Sequence, residues 1–248
     1  MPRTARKISS SGIYHVMVRG IDKRVIFDET SDFLRFLYYI NKANQCNQFE
    51  IYAYCLMPNH AHLLLRSENG IIGNFMSRIS VGYVQYFNYK YGRTGHLFQN
   101  RFKSEVVEDD SYFLTVFRYI HNNPVKAGFV KNFRDYPWTS YAGYSQFTND
   151  EYREEKTSFL NTSFVLGMFE NRDEFEKYLN QKSTTECMNF EEKKRFTDEQ
   201  IMEKLIKMSR KDLSTLLPVQ KQDLFRLIQR ETNASTRQLM RVLKMGHR

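Results

Sequence analysis

The spacing of apolar positions over the first 125 residues alternates between two periods, and each period predicts a different element. Alternating apolar positions predict strands at residues 12–20, 49–57, 60–66 and 96–108. Apolar positions spaced three and four apart predict helices at residues 32–44, 71–91 and 112–122. Only Pro58 and Asn59 separate the second strand from the third, so we expect a hairpin there.

The ends of the helices carry signals of their own. Thr30 or Ser31 is suited to cap the first helix, because a hydroxyl oxygen accepts a free backbone N–H. Pro124 should stop the third helix, because proline has no N–H to donate. The resulting order, β-α-β-β-α-β-α, predicts an α+β fold, the ferredoxin-like split βαβ sandwich with one added helix. We expect an antiparallel sheet with helices on one face.

The pattern of the chain changes after the last of these helices. Residues 1–145 form the predicted domain, and residues 146–162 are polar and charged, which is typical of a linker. Residues 163–248 predict an all-α C-terminal region. Its final part, residues 219–248, resembles an incomplete helix-turn-helix, which would add a contact to DNA.

Charge and cysteine content narrow the class of protein. The 248 residues carry a formal net charge of +9, and residues 1–145 hold 18 Lys+Arg against 11 Asp+Glu, a net +7. A basic domain indicates a polyanionic partner, most simply nucleic acid. Three cysteines at unrelated spacings indicate reduced thiols. We find no signal-peptide pattern and no long apolar run, so we expect a cytoplasmic protein with no membrane partner.

Two histidines stand one residue apart at the start of the third predicted strand. Residues i and i+2 of a strand face the same side, so His60 and His62 should project together. Two imidazoles placed in this way can hold one divalent cation. Ala61, Leu63 and Leu65 should then point into the core. The alternative interpretation is an ordinary exposed strand face.

A third ligand and a nucleophile are available on the last predicted helix. Tyr119 and Asn123 are four residues apart and share one helix face. The Asn123 amide oxygen suits a hard cation, Mg²⁺ or Mn²⁺. The Tyr119 phenol could attack a metal-polarised phosphodiester, leaving a 5′-phosphotyrosine and a free 3′-hydroxyl. Alternatively, Tyr119 is a core-edge residue and Asn123 belongs to a helix stop.

Four sequence segments carry a resemblance to a known family. They read YHVMVRG, YCLMPNHAHLLL, GHLFQNRFKSEVV and FRYIHNNPVKAGFV. In this order they resemble the REP-associated tyrosine transposases, relatives of the IS200/IS605 group of single-tyrosine HUH transposases. The resemblance covers about residues 8–145. It implies a nuclease domain that cuts and rejoins single-stranded DNA beside a hairpin.

The resemblance also implies a role for each candidate site residue. His60 and His62 match the HUH metal ligands, and Tyr119 matches the nucleophile. Asn123 stands where IS200/IS605 proteins have a glutamine as third ligand, and REP-associated relatives have asparagine there. Members of the family are monomers, or homodimers in which the tyrosine acts in trans.

Further residues are candidates for contact with DNA. These basic side chains lie on the N-terminal arm or in and beside the central strands: Arg3, Lys7, Arg19, Arg101 and Lys103. The alternative is a solvated basic face. His15 is either directed toward the metal-binding face or is a satisfied core histidine. Two other functions stay open, a nucleic-acid-binding module without catalysis and a domesticated transposase with a regulatory role.

Overall fold

The computed structural model describes most of the first 181 residues and parts of the remainder. The described residues are 6–45, 48–67, 71–145, 153–181, 187–188, 198–209, 224, 227–228 and 236–242. The chain forms two compact units, Met1–Asn189 and Phe190–Arg248. The candidate site residues all belong to the first unit.

Four strands and three long helices build the first unit. The strands are β1 (Ile13–Arg19), β2 (Phe49–Met57), β3 (His60–Ser67) and β4 (Lys103–Val107). The helices are α1 (Thr30–Ala43), α2 (Ile72–Lys90) and α3 (Asp110–Lys126). The strand order is β2-β3-β1-β4, and every pair is antiparallel. This confirms the predicted α+β ferredoxin-like sandwich and its β2–β3 hairpin.

One face of the sheet is packed against α1 and α2. Val16, Leu63 and Leu65 point to this side, as predicted for the two leucines, and meet Phe36 and Ile79 of the helices. All five side chains are at most 1% exposed. Because these contacts join strands and helices that are distant in sequence, they fix the hydrophobic core of the unit.

The other face of the sheet is covered by α3, so the expectation of helices on one face is wrong. Ile13, Leu64 and Val107 of the sheet pack against Phe113 and Phe117 of the helix. Strand β3 carries apolar residues on both of its sides, and a strand that is apolar on both sides needs a cover on both sides.

Two predicted helix boundaries shift for physical reasons. Helix α1 is capped by Glu29, whose side chain and that of Asp32 form a capping box, and not by a hydroxyl of Thr30 or Ser31. Helix α3 continues through Pro124 and ends at Lys126. In the last turn, proline removes only one donor, and its own carbonyl still accepts a bond from Phe129.

The fourth strand is shorter than the predicted span of residues 96–108. Residues before Lys103 follow the end of β1 through separate bonds, with Ile21 N–H donating to Leu97 and Gln99 N–H donating to Arg19. Phe98 forms an isolated bridge with Gly20. Residues 96–102 are therefore joined to β1 without a continuous ladder.

Chain segments beyond α3 cover the outer edge of β2. Leu56 N–H donates to the Trp138 carbonyl, Ser140 N–H donates to Tyr54, and Asn161 N–H donates to Ile51. The edge strand therefore has partners on both sides of its backbone.

Short helices make up the rest of the described chain. In the first unit they are α4 (Tyr141–Tyr144), α5 (Arg153–Thr157), α6 (Thr162–Leu166) and α7 (Arg172–Asn180). In the second unit, α8 (Asp198–Ser209) packs on α9 (Thr236–Val242) through Leu205 and Leu239. Most of residues 219–248, and so the predicted helix-turn-helix, lies outside the described residues. Among the described helices, none is long and apolar enough to span a membrane.

Candidate active site

The two histidines of the H-x-H motif lie on β3 and face α3. His62 pairs in register with Met17, and His60 pairs with Arg19 at the end of β1. His62 is completely buried, and His60 is half-buried. Ala61 between them points into the opposite core, as the alternation of a strand requires.

The turn before His60 is held by backbone bonds. The Pro58 carbonyl accepts from the N–H groups of Ile26 and Phe27, and the Asn59 carbonyl accepts from Gly20. A side chain on Gly20 would collide with the Arg24 carbonyl, so only glycine permits this close approach. The Asn59 side-chain oxygen lies 2.6 Å from His60 Nδ1. This bond directs the Nε2 atom of His60 away from the turn.

Helix α3 places Asn123 and Tyr119 directly against these histidines. Asn123 Nδ2 lies 3.2 Å from His62 Nε2, and the same amide hydrogen-bonds His60 and Tyr119. The ring centroids of Tyr119 and His62 are 5.7 Å apart. The oxygen and nitrogen of an amide exchange by rotation, so Asn123 can turn Oδ1 toward the two imidazoles. All four side chains meet within one chain.

His15 lies behind His62 on the neighbouring strand. His15 Nε2 is 2.9 Å from His62 Nδ1, and the two rings stack at 5.1 Å. His15 is completely buried, and its Nδ1 atom is 3.8 Å from Glu105 Oε2 on β4. Of the two interpretations of His15, the structure favours the one in which it faces the candidate metal site.

Burial sets the protonation state of the cluster. It lowers the pKa of His60 to about 4 and that of His62 well below its usual range, so both imidazoles are neutral at pH 7 and keep a lone pair for a ligand. Burial raises the pKa of Tyr119 to about 12, so its phenol is protonated at neutral pH. Lys126, two turns along α3, places its Nζ 5.6 Å from the Tyr119 ring centroid.

The donor set fits a divalent cation that accepts both nitrogen and oxygen. Within the described ranges, no three His, Cys, Asp or Glu side chains gather as metal ligands. A three-ligand site on this chain therefore needs the Asn123 amide oxygen beside the Nε2 atoms of His60 and His62. Two imidazoles and one neutral oxygen are suited to Mn²⁺, and to Mg²⁺ with water completing the shell.

The predicted DNA-contacting residues divide into three groups. Arg19 is opposite His60, and Lys103 pairs with Met17, so both belong to the sheet face that carries the histidines. Lys7 and Arg101 are exposed and lie outside the strands. Arg3 lies outside the described residues.

The sequence interpretation missed three contributors to the site. Asn59 was predicted only as a turn residue, although an amide next to a candidate ligand is a signal in itself. Glu105 and Lys126 were not singled out. Lys126 could have been found from its spacing, because it is seven residues after Tyr119 and so lies on the same helix face. Glu105 required the strand register.

Comparisons with known proteins agree on one family. Residues 8–123 match the family described as Transposase IS200 like. A Haemophilus influenzae protein assigned to the REP-associated tyrosine transposases is 29% identical over 162 residues, which are 57% of this chain and 86% of that protein.

Two solved structures are also similar to the chain. One, described as a REP-associated tyrosine transposase bound to a REP hairpin, matches with a TM-score of 0.50 at 18% identity and covers 76% of this chain and 99% of that one. The other, a Deinococcus radiodurans protein assigned as a transposase, matches with a TM-score of 0.33 at 19% identity over 49% and 97% of the two chains.

Proposed function

Because residues 8–123 match the family described as Transposase IS200 like, we propose that the chain cleaves and rejoins single-stranded DNA with Tyr119 as nucleophile. One observation carries this proposal. Tyr119 and Asn123 lie side by side on α3 against two neutral histidines of β3, all within one chain. A nucleic-acid-binding module has no need for this arrangement.

The cleavage step exchanges one phosphodiester for another. The Tyr119 oxygen forms a bond to phosphorus, and the bond between phosphorus and the 3′ oxygen breaks. The phenol proton is released as the oxygen attacks, and the departing 3′ oxygen takes up a proton. Reversing the step with another 3′-hydroxyl rejoins DNA, so the bond energy is retained in the phosphotyrosine.

A divalent cation, Mg²⁺ or Mn²⁺, would supply charge neutralisation at the non-bridging phosphate oxygens. His60, His62 and Asn123 are the residues that would hold it. Asn59 orients the His60 ring, and Asn123 bonds Tyr119, so one amide links the ligand set to the nucleophile. Lys126 adds positive charge beside the phenol where the phosphate must arrive.

The proposed substrate is single-stranded DNA next to a hairpin, and the solved relative that is described as bound to a REP hairpin supports this choice. Arg19 and Lys103 share the sheet face of the histidines and are proposed to contact the phosphates near the cleavage site. Lys7, Arg101 and Arg3 are proposed as outer contacts with the backbone. We propose that one protomer suffices, with Tyr119 acting in cis.

Adduct formation tests the nucleophile directly. Full-length protein is incubated with Mn²⁺ and a 5′-labelled and, separately, a 3′-labelled single strand containing a hairpin, and a denaturing gel resolves any protein–DNA adduct. We expect an adduct that retains the 3′ label, because Tyr119 is joined to the 5′ phosphate. Tyr119→Phe should form none, whereas Tyr136→Phe, which loses the buried bond to the Leu56 carbonyl, should still react.

Two outcomes would contradict this proposal. An adduct of parental yield from Tyr119→Phe would exclude Tyr119 as the nucleophile, and full cleavage in EDTA would exclude the cation. Mixing Tyr119→Phe with His62→Leu tests the cis arrangement, because restored cleavage in the mixture would require Tyr119 of one protomer to serve the histidines of another.

A further inference from the structure

His15 is a second buried histidine in direct contact with the candidate ligand His62. Its Nε2 atom lies 2.9 Å from His62 Nδ1. Its buried Nδ1 atom has no hydrogen-bond partner among the described residues and faces the Glu105 carboxylate at 3.8 Å. Both histidines are completely buried, whereas the Glu105 side chain is 36% exposed. The question is what this pair does for the site.

A histidine that binds a cation needs a lone pair on one nitrogen and a proton on the other. In His62, Nε2 faces Asn123, and Nδ1 faces His15. The binding-competent tautomer therefore carries its proton on Nδ1 and donates it to His15 Nε2. His15 must then hold its own proton on Nδ1, toward Glu105.

The opposite arrangement is the competing one. If His15 donated from Nε2, His62 would accept at Nδ1 and carry its proton on Nε2, where a cation would have to bind. The lone pair of His15 Nδ1 would then face the Glu105 carboxylate, and two acceptors would oppose one another. Because His15 Nδ1 is buried without another partner among the described residues, this mismatch is costly, and the carboxylate favours the first arrangement.

Glu105 is itself held in place. Its Oε2 atom accepts the backbone N–H of Met188 at 3.2 Å, and the Tyr112 phenol also hydrogen-bonds the carboxylate. Because His15 pairs in register with Glu105 on β4, both side chains leave the sheet on the same face. The three groups thus form a line from β4 through β1 to β3.

We propose that His15 is a positioning residue, and that Glu105 and His15 together fix the tautomer of His62 in which Nε2 is free for the divalent cation. This inference rests on the proposed function in one respect, the cation site at His60, His62 and Asn123. The line can act on the histidine before any cation arrives, because all three groups belong to this chain and lie side by side on the sheet.

Cation affinity is the first measurement. Mn²⁺ alone is titrated into full-length protein by calorimetry. We expect His15→Phe to weaken binding by about 10- to 100-fold, the range seen when an outer partner of a metal-binding histidine is removed. His15→Gln should stay within about three-fold of the parent, because its amide oxygen can still accept the His62 proton. Glu105→Gln should weaken binding by a smaller factor.

A double mutant of His15 and Glu105 distinguishes a positioning role from simple loss of structure. In the His15→Gln background, Glu105→Gln should have no further effect, because the line is already interrupted. Glu50→Gln is the matched control for the carboxylate, since Glu50 lies on β2 at a similar exposure and bonds Tyr52. His121→Phe is the control for loss of a buried histidine, since His121 bonds Ser140 and the Phe117 carbonyl. Both controls should bind Mn²⁺ as the parent does.

Nitrogen-15 NMR of the metal-free protein gives the second readout. We expect His62 to carry its proton on Nδ1 in the parent, and Glu105→Gln to shift part of the population to the Nε2 form. Parental Mn²⁺ affinity in folded His15→Phe, or a proton on Nε2 of His62 in the parent, would overturn the role of His15. If the parent itself does not bind Mn²⁺, the proposed cation site fails, and the inference fails with it.

Discussion

The two faces of the sheet are built from the same strands but serve different purposes. On the α1–α2 side, β1 and β3 contribute Val16, Leu63 and Leu65, and the contacts are apolar throughout. On the α3 side, the alternate positions of these strands hold His15 and His62 at the same degree of burial. A period of two along one strand thus separates a core from a candidate active site.

The difference indicates that the α1–α2 side mainly determines the stability of the fold, and that the α3 side mainly determines the proposed chemistry. Apolar burial stabilises the fold in proportion to area, whereas a buried imidazole needs hydrogen bonds that offset its desolvation. The histidines on the α3 side are hydrogen-bonded to one another and to Asn123, and the Glu105 carboxylate lies 3.8 Å from His15 Nδ1. Neighbouring residues of β3 should therefore respond to mutation in opposite ways.

The largest expected effect is on activity, from His62→Leu. Removing one of two imidazole ligands should raise the free-energy barrier of metal-assisted DNA cleavage by about 4 kcal/mol. The rate of cleavage should therefore fall about a thousand-fold. Its unfolding free energy should fall by about 1–3 kcal/mol, because His15 Nε2 and the Asn123 amide lose their buried partner. Single-turnover cleavage and urea denaturation measure the two quantities. Cleavage within about ten-fold of the parent would remove His62 from the site.

The next largest effect is on stability, from Leu63→Ala on the apolar side. Leu63 is 1% exposed, and truncating a buried leucine costs about 2–5 kcal/mol through lost contacts and a cavity. Urea denaturation in EDTA should show this loss. Mn²⁺ affinity of the folded variant should equal that of the parent, because Leu63 points away from the histidines. A variant that lost affinity but not stability would show that the two faces are not separate.

The smallest expected effect concerns pH. Burial lowers the pKa of His121 to about 4, below the unfolded value near 6.5, so the unfolded chain takes up more protons between these limits. Its contribution to stability is complete above pH 6.5 and is lost as pH falls toward 4. When the pH falls from 7.5 to 5.5, this histidine alone should lower the free energy of unfolding by about 1.4 kcal/mol.

His121→Phe provides the comparison for that prediction. The metal-free parent should lose more unfolding free energy between the two pH values than the variant does, by about 1.4 kcal/mol. Urea denaturation at both pH values supplies the measurement. Equal losses in parent and variant would mean that His121 is not held neutral in the folded chain.

Periodicity was sufficient to predict the fold and its order of elements. The spacing of apolar residues predicted seven elements, and the four motifs predicted the transposase family that the comparisons confirm. The same reasoning failed at Pro124, because the tertiary packing of α3 outweighs one missing hydrogen bond in a final turn. It also failed to predict that α3 covers the second face of the sheet, although β3 is apolar on both sides.

The candidate site was predictable only as far as residues close in sequence define it. The H-x-H pair and the Tyr119–Asn123 pair each follow from local periodicity. Glu105 and His15 meet because β1 and β4 pair in one particular register, and no spacing within the sequence specifies that register. The roles of these residues stay predictions until the variants are measured.

The covered edge of β2 has a consequence for anyone who shortens this protein. Asn161, far outside the motif-bearing segment, donates to Ile51, and Ser140 donates to Tyr54. A fragment ending at residue 145 would keep every proposed catalytic residue and yet expose strand backbone near Ile51. Open strand edges recruit further strands, so such a fragment invites self-association that mimics a dimer. A workable minimal version has to retain the helices that follow, through α7.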